Sequence, residues 1–404
     1  MDIGKVFGGN EYMNKVAIVN CNNYDLHTVN HALSELTEKL GYNFSDFIKP
    51  GMTVFIKPNW VASRWRESAP HKDTLYSVIT HPGVIEAVAD KVVQALNGSG
   101  KIIIGDNPSL DADFEELMRF TGIRKLITKY DVPCEILDLR PLVCKDLKDY
   151  GMKSKMVPQP GDPQGKVEIN LGRESLLCDM NPTLFRGVFD DDRGDTAASH
   201  TGDTQLYTFS KSLYDADVYI SIPKLKTHHK VGTTLNLKGL VGSVTEKNQL
   251  VHWRIGSPET GGDEYPDTAS LEAAKNVKIT HRGAHPGNDT IWRMVADLYK
   301  AMLKKERRYF SVTDGIIAGE GQGPFCPTSK QANCLIAGDN LLAVDIAASR
   351  FMGFNPKKIR YLNYFIKNGF SYDEIEVCGY DDFFNDSSKY LNFSVIEKWQ
   401  EIKI

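Results

Sequence analysis

An α/β protein, built on an open, mostly parallel sheet with helices on both faces and two long insertions, is what this sequence predicts. Three observations carry that expectation. Short β-branched runs closed by a breaker recur along the chain, a helical period joins the first two, and polar residues collect where the runs end. Thr53 to Ile56 runs into Lys57-Pro58-Asn59, Lys101 to Ile104 into Gly105-Asp106-Asn107-Pro108, and Asp217 to Ile222 into Pro223-Lys224. Tyr309 to Thr313 closes on Asp314-Gly315, and Cys334 to Ala337 on Gly338-Asp339. Between the first two runs, Pro82 to Leu96 has proline suited to a first turn and places Val84, Ile85, Val88, Val92 and Val93 on one face, which makes a βαβ unit. A second helix is expected over about Thr290 to Lys304, with Ile291, Met294, Val295 and Leu298 on its stripe and Asn288 or Asp289 as its cap. Residues 145–208 and 252–286 lack this rhythm and read as long insertions or lids. The 404 residues are expected to form a single large α/β domain with its core at about residues 50–365.

Composition narrows the function. With 41% apolar and 25% charged residues the chain is ordinary for a globular protein. A formal net charge of −4 argues against a general grip on nucleic acid, so any anionic partner must be held by a local cluster. No apolar run is long enough to span a bilayer, and Asp2 and Glu11 interrupt the start, which points to the cytoplasm. The seven cysteines are scattered and never form CxxC, which suits free thiols and disfavours disulfides, an iron–sulfur cluster or a zinc-thiolate site.

Three constellations could carry chemistry. The densest is Pro223 to Gly232, with Lys224, Lys226, His228, His229 and Lys230 following a buried run and Asn236 and Lys238 close behind. Such a cluster can neutralise a phosphate or carboxylate, and either histidine could act as general acid or base. Adjacent side chains diverge on a regular backbone, so one of the two histidines is expected to face the site. A second group, Asp263 and Glu264 within 252–286 together with His252, His281 and His285, is a donor set that leaves a divalent metal open, though no compact metal motif is present. The third, Asp314 to Pro324, has four glycines that let the main chain approach a ligand, with Asp314 and Glu320 as carboxylates. In parallel sheets ligands sit at the carboxyl ends of the strands. The turns at Asn59, Asp106, Lys224 to Lys230 and Asp314 to Gly323 are therefore expected to converge, with residues 252–286 over them bringing Asp263 and Glu264 near the basic run.

Together, Ile56-Lys57-Pro58-Asn59, Thr80-His81-Pro82, Ile104-Gly105-Asp106, Pro223 through Gly242, Asp314 through Pro324, Ala343-Val344-Asp345 and Met352-Gly353-Phe354 resemble the domain-of-unknown-function family 362 over roughly Thr53 to Leu362. The stretches Gly256 to Tyr265 and Gly287 to Arg293 are similar to a branch encoded beside bacterial surface-polysaccharide genes. That resemblance implies a glycan-related setting and no particular reaction. The ferredoxin-type segment of other members is missing here. One departure is Gly239, which follows Lys238 where the family usually has asparagine.

These readings combine into an enzyme of transferase or isomerase type acting on an anionic, sugar-like or nucleotide-linked small molecule. Lys57, Lys224, Lys226, Lys230 and Lys238 would hold the anion, with Asn59, His81, Asn236, Asp263, Glu264 and Arg293 as further contacts. His228 or His229 would move protons, while Asp106, Asp314 and Glu320 would fix hydroxyls or a cation. A non-catalytic protein binding an anionic glycan or an assembly partner is one rival. A racemase or epimerase carrying a cofactor on a lysine of the basic run is another. Cofactor, metal and oligomeric state are not named by the residues.

Overall fold

The computed structural model describes residues 14–67, 69, 71–189, 191–275, 285–380 and 382–404. Ten strands form the central sheet: β1 (Lys15–Asn20), β2 (Thr53–Pro58), β3 (Lys101–Asp106), β4 (Cys134–Asp138), β5 (Val218–Ile222), β6 (Lys224–His228), β7 (Gly232–Thr233), β8 (Arg308–Gln322), β9 (Cys326–Gly338) and β10 (Glu376–Cys378). Their order is β10-β1-β9-β8-β5-β2-β3-β4, with β6 paired to β8 and β7. The run from β8 through β5, β2, β3 and β4 is parallel, whereas β9 is antiparallel to both β1 and β8.

Period-two alternation sorts the strand side chains onto two faces. Val54, Ile56, Ile102, Ile104 and Ile220 join one apolar cluster with helices α1 (Leu26–Leu40) and α2 (Pro82–Leu96). Phe55, Ile103 and Tyr219 join the other. That second cluster also takes in α3 (Leu235–Gly239), α4 (Ile291–Met302), α5 (Leu341–Phe351) and α6 (Arg360–Lys367). Each fully buried side chain of this size contributes roughly 1.5–3 kcal/mol, so a one-residue slip that exchanged the two faces would be heavily disfavoured.

Helix α2 has the expected bounds, with Pro82 at its first position and the His81 ring accepting from Gly83 N at 3.0 Å as its cap. Asn288 serves α4, where its Oδ1 accepts from Thr290 N and Ile291 N at 3.1 and 2.9 Å. Two expectations need correction. Lys224 to His228 is a strand rather than part of a turn, lying parallel to β8 with Lys224 opposite Asp314. The glycine-rich stretch from Asp314 is likewise the second half of a 15-residue strand, β8, and its pairing with β9 is antiparallel. Two of its glycines answer crowding: a Cβ at Gly319 would lie 2.5 Å from Ser77 O, and one at Gly315 2.6 Å from Cys334 Sγ. Residues 145–208 and 252–286 are joined by a short antiparallel pair, Phe185–Arg186 with Trp253–Arg254.

Asp314 is fully buried and gathers donors from three distant segments: Tyr24 OH at 3.0 Å, His81 N at 2.9 Å and Lys224 Nζ at 2.6 Å. Asp314→Ala would leave the Lys224 ammonium buried without its counter-charge. It should lower the free energy of unfolding by about 3–5 kcal/mol in urea denaturation. A loss below about 1 kcal/mol would place the pair at the level of a solvated surface bridge.

Candidate functional site

A cavity of about 310 Å³ opens where β2, β3 and β6 end. Lys57 and Asn59 reach it from β2 and its turn, Asp106 and Asn107 from β3, and Lys226, His228, His229 and Lys230 from β6 and the turn after it. Helix α3 adds Lys238 and Gly239, and the chain after it Gly242 and Lys247. Tyr150, Gly187 and Val188 come from one insertion and His252 and Trp253 from the other.

The floor is a buried ion pair, Lys57 Nζ to Asp106 Oδ1 at 2.8 Å. Asp106 also accepts from Trp60 N at 2.7 Å and Asn107 N at 2.9 Å, which fixes the turns after β2 and β3 against each other. Asn107 donates to Val244 O at 2.9 Å, while its buried Oδ1 has no partner among the described residues. Gly242 packs so closely on this pair that a Cβ there would collide with the Asp106 carboxylate and come within 2.9 Å of Lys57 Nζ. Lys226 points its amine at Val78 O and Pro324 O, at 2.6 and 3.2 Å. Burial, reinforced by Lys224 and Lys238 nearby, holds its pKa well below the usual lysine range.

The chain approaches α3 through Leu235, whose φ of 46° lies in the left-handed region that costs a bulky residue roughly 1–2 kcal/mol. Asp345, fully buried on α5, holds this turn by accepting from Asn236 N and Nδ2, both at 2.8 Å, and from Leu237 N at 2.9 Å. Burial pushes the Asp345 carboxyl up to about 7. The clamp sets Lys238 on the cavity wall and commits Asn236 to Asp345 and Ser311, so that Asn236 does not line the cavity.

Lys230, Lys238 and Lys247 make no ion pair among the described residues. Desolvation lowers Lys230 and Lys238 to about 8 and Lys247 to about 7. Three imidazoles stand beside these amines, and their hydrogen bonds define their tautomers. His228 Nδ1 accepts from Lys230 N at 3.0 Å, which leaves its proton on Nε2. His229 Nδ1 donates to Gly323 O, and His252 Nδ1 donates to Leu250 O, both at 2.7 Å, so that each keeps a bare Nε2. Burial lowers His229 to about 4 and His252 to about 3, and burial with Lys238 lowers His228. Both adjacent histidines line the cavity, because the strand ends at His228 and the alternation that would separate them stops there.

Several expected site residues lie elsewhere. Lys224 and Asp314 neutralise each other inside the sheet. His81 caps α2 and stacks on Tyr24 at 3.6 Å. Glu320 accepts from Ser394 N at 2.8 Å and pairs with Lys330. Arg293 is tied to Asp289 in the turn just before its helix. Asp263 accepts from Arg254 N and Thr290 Oγ1, both at 2.6 Å, and Glu264 lies toward Gly256 N. Neither acid lines the cavity, and the segment 252–286 borders it through His252 and Trp253. His281 falls outside the described residues. Among the described residues no three His, Cys, Asp or Glu side chains are grouped to hold a metal ion, and no helix is long and apolar enough to cross a membrane.

Lys247, Asn107, Tyr150 and Trp253 line the cavity without having been expected there. Asn107 could have been found, since it follows Asp106 in a strand-end turn. Lys247 could not, because Thr245 to Gln249 is a polar stretch with no pattern separating it from solvated surface.

The model of the family described as Domain of unknown function (DUF362) matches residues 54–160 and 180–350. A thylakoid-associated protein of Synechocystis sp. is 23% identical over 344 residues, covering 85% of this chain and 76% of its own length. Among solved structures, a protein of Thermotoga maritima aligns with a TM-score of 0.38 and 11% identity over 82% of this chain and 60% of its own. The lactate racemase apoprotein of Thermoanaerobacterium thermosaccharolyticum aligns with a TM-score of 0.35 and 11% identity over 86% and 59%. The chain thus spans about three fifths of the length of each of these two structures.

Two expected outcomes follow from the geometry. Lys238 holds its proton less tightly in the folded protein, at about 8, than in the unfolded chain, at 10.5. Its penalty on the fold is therefore complete below pH 8 and fades as the pH rises toward 10.5. Lys238→Met should raise the unfolding free energy by about 3 kcal/mol near neutral pH and lose that advantage in alkali. Equal stability of variant and wild type at neutral pH would show a solvated amine. Gly242→Ala should destabilise the protein by about 1–3 kcal/mol in thermal or urea melts, because its methyl group forces apart the Lys57–Asp106 floor. An unchanged melt would mean that the floor yields freely.

Proposed function

The chain belongs to the DUF362 family, and we propose that it is an enzyme of transferase or isomerase type that holds an anionic, sugar-like or nucleotide-linked small molecule in this cavity. The observation that carries the reading is the set of three amines, the buried Lys238 and Lys247 and the half-buried Lys230, sharing one cavity and making no ion pair among the described residues. With a formal net charge of −4, the protein offers no general attraction to anions, so short-range contacts must supply the binding. An entering phosphate or carboxylate provides the missing counter-charge and restores the amines' hold on their protons. The same counter-charge raises the pKa of His229 and His252 toward neutrality, which makes their bare Nε2 atoms general bases once the site is loaded. The sugar-like part of the reading rests on the family resemblance, and the cytoplasm is its proposed setting.

One observation favours a second reading. The carboxylate on the cavity wall, Asp106, is already paired with Lys57, and Asp314 and Glu320 are engaged elsewhere, which suits a protein that binds an anion without transforming it. A racemase or epimerase with a cofactor covalently held on a lysine of the basic run would need an amine of lowered pKa, as Lys230 is, and would add the cofactor's mass to the chain.

Calorimetric titration with inorganic phosphate and glucose 1-phosphate near pH 8, in buffers of different ionisation enthalpy, tests the anion site. Wild type should bind with proton uptake. Lys230→Met and Lys238→Met should each weaken binding at least about tenfold while remaining folded, since a charge-assisted hydrogen bond contributes roughly 1.5–3 kcal/mol. Equal affinity in all three proteins, or no binding by wild type, would sink the proposal.

A further inference from the structure

Three glycines face the cavity, and two of them are required by crowding. A Cβ at Gly187 would lie 2.8 Å from Asn248 O, and one at Gly242 would strike the Asp106 carboxylate. Gly239 is different. Its φ of −60° and ψ of −24° are helical values that any residue adopts, and a Cβ built there meets nothing within 4 Å. Glycine in a helical position is disfavoured against alanine by about 1 kcal/mol. Position 239 thus holds a residue that weakens its own segment and that neither the backbone nor the neighbours demand.

What the glycine leaves is room, and the room adjoins a charge. Lys238, the residue before it, presents a buried amine to the cavity without a counter-charge. The same cavity carries an apolar lining from Leu250, Trp253, Ile291 and Phe325, which an inorganic anion alone would not use. We infer that Gly239 keeps open a niche beside Lys238 for the uncharged organic body of the anionic ligand, so that the residue at 239 sets the size of ligand admitted. The inference rests on the proposed anion site. The ligand class it names is a phosphate or carboxylate attached to a ring-sized apolar or weakly polar group.

The test compares inorganic phosphate with phenyl phosphate on wild type, Gly239→Ala and Gly239→Leu, by calorimetry and thermal melting. Wild type should bind both. Gly239→Leu should keep inorganic phosphate within about threefold of wild type and lose phenyl phosphate at least about tenfold, while Gly239→Ala melts no lower than wild type. Retention of both ligands by Gly239→Leu would overturn the inference, because the niche would then be unused. Loss of both, or a lower melt for Gly239→Ala, would overturn it too, since the glycine would be structural. Wild type binding inorganic phosphate but not phenyl phosphate overturns this inference alone and leaves the anion site standing. Wild type binding neither overturns both.

Discussion

Asp314 is the point to which the site's framework is tied. Its carboxylate takes a hydroxyl from Tyr24, a backbone N–H from His81 at the start of α2, and the ammonium of Lys224 at the start of β6. The pair sits where water does not reach, so removing either partner would leave the other buried without its counter-charge. The pair anchors the start of β6 on β8, and the register shifts just beyond it, since Lys224 lies opposite Asp314 and Lys226 opposite Gly319. An interaction that has no part in the cavity thus anchors the strand that carries Lys226 and His228 to its wall.

The cavity is assembled against its own electrostatics. Lys57 and Asp106 satisfy each other, and Lys226 is met by two carbonyl oxygens, but Lys230, Lys238 and Lys247 are desolvated and make no ion pair among the described residues. Isolated buried charges of one sign destabilise a fold unless something outside it supplies the other sign. The strained turn at Leu235 adds to this, and it persists because the Asp345 carboxylate holds the two N–H groups that follow. Local strain and local like charge in the same wall both cost the fold stability, and the proposed anion would offset the second of them.

Much of the fold was legible in the sequence, because burial leaves a periodic trace. The βαβ unit, the bounds of α2 and the placing of polar turns at the ends of β2 and β3 all follow from short apolar runs and a helical stripe. Asp314 to Gln322 was misread for a physical reason. Glycines that admit a ligand and glycines that admit a neighbouring strand look alike in one dimension, and here Ser77 and Cys334 occupy the space.

The site divides along the same line. The sequence by itself determined that this α/β protein concentrates cations after a buried strand, since hydrophobic period and residue type are both local properties. Only the tertiary structure decided that Lys224 is neutralised by a residue 90 positions away while Lys238 and Lys247 are not. Whether a charge finds its partner depends on which distant segments the sheet brings together, and no local pattern encodes that pairing.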